Sequence, residues 1–225
     1  MRKALLFCLM VFQGQIYSLN AQEQAATSIQ NTPVNQTVSK QLPKIVSVQI
    51  VNATIGPCKV DGSKWSGMGK VNPSVTTQLT QLLVKASAYT SIIGFLGSSA
   101  ISSLGKPEPY GSVEVAIGGQ YVSKLQARLV NTAKALERTY TPIFYLPAYQ
   151  NVPFEEGTRF KVTLYSKNYL NPKPTPIGVA IINYNDLLKA LQEEKIYQVP
   201  VGDQTQNQLL FIGIEVNAVT SSPNN

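Results

Sequence analysis

Between Pro43 and Val219 apolar and polar residues repeatedly alternate at the period of a half-buried strand. In "KIVSVQIVNATI" the alternating residues are Val46, Val48 and Ile50, a first strand. In 110–117, Val113, Val115 and Ile117 alternate with Ser112, Glu114 and Ala116. Gly118-Gly119 follows and supplies the positive φ that a tight hairpin requires, so 124–131 is the returning strand. Further strands are predicted over 141–152, kinked at Pro147, and over 159–166, where Phe160, Val162 and Leu164 share a face. Three more follow over 177–183, 195–200 and 207–219, the last with Leu210, Ile212, Ile214 and Val216 on one side. Eight half-apolar strands must bury their faces against one another. The expected fold is all-β, an eight-stranded antiparallel Greek-key sandwich.

Two segments break the alternation. After the first strand, 74–105 places Leu79, Leu82, Leu83, Ala86, Thr90 and Ile93 at helical spacing. It has no charge between Lys85 and Lys106, and its second half is too rich in Ser and Gly for a membrane-spanning helix. A helical insertion is therefore expected there. Late in the chain, 184–194 reads as a short helix capped by Asn185 or Asp186. Between the first strand and the insertion, "GPCKVDGSKWSGMGKVNP" is punctuated by Gly and Pro and reads as a long loop. One domain, 43–219, accounts for all these elements, and 220–225 reads as a disordered tail.

The N-terminus has a different character. Arg2 and Lys3 precede the short apolar run "ALLFCLMVF", and "SLNA" ends at Ala21. This is the pattern of a cleaved signal peptide over 1–21, so a secreted or periplasmic/cell-envelope protein is expected. Residues 22–42 are polar and aperiodic, a flexible lead. Loss of Arg2 and Lys3 takes the formal charge from +7 to +5. That mild basicity suits an anionic membrane surface or an acidic polymer. Cys8 leaves with the signal, and Cys58 is then alone in the mature chain, with no intrachain disulfide possible.

The chain contains no histidine. Ser-His-Asp and Cys-His nucleophilic machinery is thereby excluded, and so are zinc sites that need imidazole. Ser103 and Lys106 match Ser-x-x-Lys, but the companion motifs of penicillin-recognising enzymes are missing. The adjacent pairs Glu155-Glu156 and Glu193-Glu194 point apart on a strand or helix. No enzyme activity and no cofactor are expected. No basic-aromatic cluster recommends nucleic acid as a partner.

Four segments, in order, carry a resemblance. "KPEPYGSVEV" (106–115) resembles a Pro-Asp-Pro-Tyr strand entry, and "YTPIF" (140–144) an Asn-Pro-x-Trp turn. "FKVTLYSKN" (160–168) resembles a strand leading into an Asp-x-Asp loop, and "PIGVAIINYNDLL" (176–188) an Asp-x-Ile-Gly strand followed by a short helix. Across most of 44–219 the chain resembles a C2 domain, the sandwich best known for calcium-dependent membrane binding.

The resemblance implies calcium-ligand positions at Asp61, Glu108, Ser166 and Asn168. Two of the four have lost their carboxylates, Lys167 lies between them, and Lys173 is close by. Calcium needs six to eight hard oxygens, several of them charged. No metal is therefore expected, and Glu108 reads as a relic or a surface charge. The implied function is a non-catalytic, calcium-independent module that engages a phospholipid membrane surface through its loop end. The alternative is a protein-interaction or scaffolding part of an envelope or secreted assembly. The residues expected at the contact are Trp65, Ile92, Ile93, Phe95 and Leu96, with Lys167 and Lys173. The plainer reading of the insertion is a helix packed on the sandwich, and of Trp65 a packing residue.

Overall fold

A computed structural model describes residues 42–85, 87–130, 138–144, 146–167, 173–193, 195–202 and 207–219. The expected signal peptide, nearly all of the N-terminal lead, the C-terminal tail and Asn168 lie outside the described residues.

Among the described residues nine strands form two antiparallel sheets. In the first, β5 (Tyr149–Pro153), β1 (Ile45–Ile55), β9 (Leu209–Ala218) and β8 (Tyr197–Pro200) lie side by side in that order. The second runs β3 (Gln120–Tyr121), β2 (Pro109–Ile117), β6 (Arg159–Ser166), β7 (Thr175–Ile182), with β4 (Ala127–Val130) also paired to β2. The first and last strands of the chain are neighbours, Val46 opposite Ala218 and Ile50 opposite Ile214. The alternation produces the core directly. Val46, Val48 and Ile50 from one sheet and Val113, Val115, Phe160, Val162 and Leu164 from the other are fully buried. Each such side chain contributes about 1.5–3 kcal/mol.

Each of the eight predicted segments contains a strand, and the expected sandwich is the one found. Gly118 (φ 57°) and Gly119 (φ 81°) form the two-residue turn between β2 and β3. The segment 141–152 is only partly a strand. Pro142 and Pro147 have no N–H to give a ladder. Regular pairing starts at Tyr149, while the earlier part makes separate backbone bonds to β1: Ala53 N–H to Pro142 O (3.1 Å) and Phe144 N–H to Val51 O (2.7 Å).

The insertion folds as three helices, α1 (Pro73–Leu83), α2 (Ala88–Leu96) and α3 (Ser99–Ser102). Asn72 caps α1 by accepting from Ser74 N–H, and Pro73 stands at the first helical position, where its missing N–H costs nothing. Val75, Leu79, Ile92, Leu96 and Ile101 point inward and join the core. No helix among the described residues is long and apolar enough to cross a membrane. The last helix, α4 (Tyr184–Glu193), is capped by neither Asn185 nor Asp186. Asn183 Oδ1 accepts from both of their N–H groups, and Asp186 Oδ2 reaches back to Asn183 N–H. This reciprocal arrangement satisfies the orphan donors of the first turn.

The end of β1 and the starts of β2, β7 and β9 share one end of the sandwich with the end of β6. Gly56 N–H bonds Gln208 O (2.7 Å), and Gln208 N–H bonds Ile177 O (2.8 Å). The insertion leaves from this loop end, beside Glu108 and Ser166.

Candidate binding end

Glu108 stands between two prolines that lack N–H groups, so it alone offers the backbone donor at the entrance to β2. That donor is used: Glu108 N–H bonds Ser166 Oγ (3.0 Å), and Lys167 N–H bonds Glu108 O (3.0 Å). The clasp pulls the Glu108 side chain inward until it is only 5 % exposed. A surface charge at this position is therefore corrected to a buried one. Its Oε1 lies 3.3 Å from Lys167 Nζ. A buried carboxylate is costly unless paired, and here an ammonium group stands against it. Ser166 is itself buried, and its hydroxyl also reaches Lys167 O at 3.3 Å.

Asp61 is committed elsewhere. Its Oδ1 accepts from Ser63 N–H (2.9 Å) and Ser63 Oγ (2.6 Å), an Asx turn at the surface. These bonds, with a smaller effect from Lys59, hold its carboxyl below the usual range. Among the described residues no group of three or more His, Cys, Asp or Glu could hold a metal ion. Of the four ligand positions the resemblance implies, the structure thus joins Glu108 with Ser166, while the Asp61 carboxylate serves its own turn.

The loop after β1 is a small hairpin. Ser63 and Lys70 form a bridge, and Lys64 N–H bonds Gly69 O (3.1 Å). Gly67 (φ 81°) and Gly69 (φ 100°) allow the tip to fold over. Trp65 turns inward: its Nε1–H donates to Gly56 O at 2.8 Å and the side chain is buried. Met68, between the two glycines, is 97 % exposed. Lys64 and Lys70 flank it, and Lys106, Lys167 and Lys173 are exposed or partly exposed at the same loop end.

The expected contact surface therefore changes. Trp65, Ile92 and Leu96 are buried, Ile92 completely, and cannot present themselves to a partner. Ile93 and Phe95 are half-buried, and Phe95 packs against the core. The reason is the helix period: an apolar stripe laid on a sandwich spends its residues on the sandwich. Pattern reading missed Met68, although its Gly-Met-Gly frame marks a turn tip.

Cys58 is buried as a free thiol, and burial followed by the Asp61 charge pushes its pKa up. Tyr140 lies nearby, donates its hydroxyl to Gly105 O, and has its pKa pushed up to about 12, chiefly by burial.

No protein-family model matches the chain, and no curated protein matches it. Solved structures do. A C2 domain of plant Extended Synaptotagmin 1 is 9 % identical, with 80 % of this chain and 100 % of that one covered and a TM-score of 0.41. A structure of two C2 domains of Extended-Synaptotagmin 2 is 12 % identical, covering 88 % of this chain and 48 % of that one, with a TM-score of 0.37. The human GIVD cytosolic phospholipase A2 is 10 % identical, covering 80 % and 17 %, with a TM-score of 0.38. The chain thus spans about half or less of the latter two.

Proposed function

We propose that the protein is an exported, C2-like binding module that engages an anionic membrane surface with its loop end and needs no calcium to do so. The observation that carries this reading is Met68, 97 % exposed at a glycine-framed tip between Lys64 and Lys70. An isolated, fully exposed methionine has no packing role. Burying it in the acyl boundary would contribute about 1.5–3 kcal/mol, and each lysine near an anionic leaflet about 1 kcal/mol. Lys64, Lys70 and Lys106 supply that charge. The sum suits reversible association rather than insertion. The Lys167 ammonium against Glu108 supports metal independence, because a cation already neutralises the carboxylate a calcium ion would use.

The test is co-sedimentation with phosphatidylcholine vesicles with and without a fifth of phosphatidylserine. Binding should require the anionic lipid, be equal in calcium and EDTA, and fall when Met68 becomes Asp. Absence of binding to both vesicle types would overturn the membrane reading. It would favour the protein-assembly alternative, which draws support from the insertion: 71–105 carries a single charged residue, Lys85.

A further inference from the structure

Beyond residue 21 the chain holds two sulfur-bearing side chains, Cys58 and Met68. They are close in sequence and opposite in surroundings. Cys58 is 2 % exposed, and burial followed by the Asp61 charge disfavours its thiolate, the form that oxidants attack. Met68 is 97 % exposed. Its neighbours give it no cover: Gly67 and Gly69 have no side chains, and a Cβ at either would meet nothing within 4 Å. The hairpin is held below its tip, by the Ser63–Lys70 bridge, the Lys64 N–H bond to Gly69 O and the buried Trp65. The tip can therefore change chemically without displacing a packed atom.

Oxidation of a methionine thioether turns a flexible apolar side chain into a polar one, and the change is reversible. In a core it disrupts packing. At this tip it alters only what the loop end presents. We propose that Met68 is a reversible oxidation site, and that its sulfoxide releases the loop end from an anionic membrane surface. In the forward step a lone pair on Sδ attacks one oxygen of hydrogen peroxide. The S–O bond forms as the O–O bond breaks, sulfur gives up two electrons, and the second peroxide oxygen leaves as water. In the reverse step two thiols supply two electrons and two protons, the sulfoxide oxygen leaves as water, and the thiols end as a disulfide. The release step rests on the membrane reading. The modification step does not.

The probe is hydrogen peroxide, applied to the folded wild-type protein and followed by peptide mass mapping, thermal unfolding and co-sedimentation with phosphatidylserine-containing vesicles. One oxygen atom should appear on Met68 while Cys58 stays a thiol, and the melting temperature should not move. Vesicle binding should weaken about tenfold, as for the loss of one buried apolar side chain. Methionine sulfoxide reductase with dithiothreitol should restore both the mass and the binding. Cys58→Ala should lose and recover binding in the same way, which separates the two sulfur atoms. Oxidation of Cys58 ahead of Met68, or a melting temperature that falls with Met68 oxidation, overturns the modification site. Sulfoxide protein that binds vesicles as tightly as reduced protein overturns the release step alone. Reduced protein that binds no vesicles overturns the release step together with the membrane reading, and the mass map still decides the modification site.

Discussion

Lys167 Nζ stands 3.3 Å from Glu108 Oε1, and the carboxylate is almost wholly buried while the lysine remains about half exposed. The pair is held by backbone as well as charge, since Lys167 N–H bonds Glu108 O and Glu108 N–H bonds Ser166 Oγ. The cation is covalently part of the chain. Millimolar calcium should therefore leave the melting temperature where it is. A bound ion at a hundredfold excess over its Kd would add about 2.7 kcal/mol, which a thermal scan would reveal. A rise reversed by EDTA would show that Glu108 still holds a metal. Lys167→Ala should cost about 1 kcal/mol, discounted for the exposed partner, and should not create calcium binding, because Ser166 carries no charge.

Trp65 and Met68 are three residues apart and do opposite jobs. Trp65→Phe removes the donor to Gly56 O and should cost about 1–2 kcal/mol while leaving vesicle binding intact. Met68→Ser touches no packed atom and should change stability by less than about 0.5 kcal/mol, yet lower vesicle binding. Chemical denaturation and sedimentation on the same two variants measure both. The reverse outcome, a binding loss with Trp65→Phe alone, would restore Trp65 as the contact residue.

Ile92 has no exposed surface and lies at the centre of the packed face of α2. Ile92→Ala should cost about 2–5 kcal/mol, with binding unchanged in the fraction that stays folded. A stable Ile92→Ala variant that no longer binds would mean that α2 turns outward in solution.

The strands were legible because period two survives in the sequence wherever one face is buried, as at Val113, Val115 and Ile117. The helical insertion was legible for the same reason at another period. What the pattern could not say is which neighbour takes an apolar stripe. Ile92 and Leu96 look alike whether they meet a sandwich or a bilayer, and only the chain's return past β1 decides it. Met68 was hidden because one apolar residue among glycines has no period at all. The Glu108–Lys167 pair was half visible: Ser166 and Asn168 showed the lost carboxylates, but the clasp that buries Glu108 needs β2 and β6 side by side. Asn183 was passed over as a cap because an adjacent Asn and Asp offered the same chemistry.

Tyr149 gives a prediction in pH. Its ring packs edge-on to Phe160 at 5.3 Å, and its hydroxyl is buried with no hydrogen-bond partner among the described residues. Burial pushes its pKa up to about 12 from an ordinary 10.0. The neutral phenol is thus favoured in the folded state, and the unfolded chain ionises first. Stability from this group is fully present below about pH 10 and is lost as pH rises toward about 12, because the unfolded state then binds fewer protons. A shift of this size corresponds to about 2–3 kcal/mol. Tyr140, also raised to about 12, adds a similar loss. Tyr149→Phe removes an unpartnered donor. It should leave stability at pH 7 unchanged or raise it slightly, and it should flatten the decline above pH 10 by roughly half. Tyr140→Phe should flatten the decline too but cost about 1 kcal/mol at pH 7, since that hydroxyl bonds Gly105 O. Urea unfolding at pH 7, 9, 10.5 and 11.5, with phenolate absorbance followed in parallel, separates the two. If Tyr149→Phe loses stability with pH as steeply as wild type, the Tyr149 hydroxyl is not buried in solution and the edge of β5 is open there.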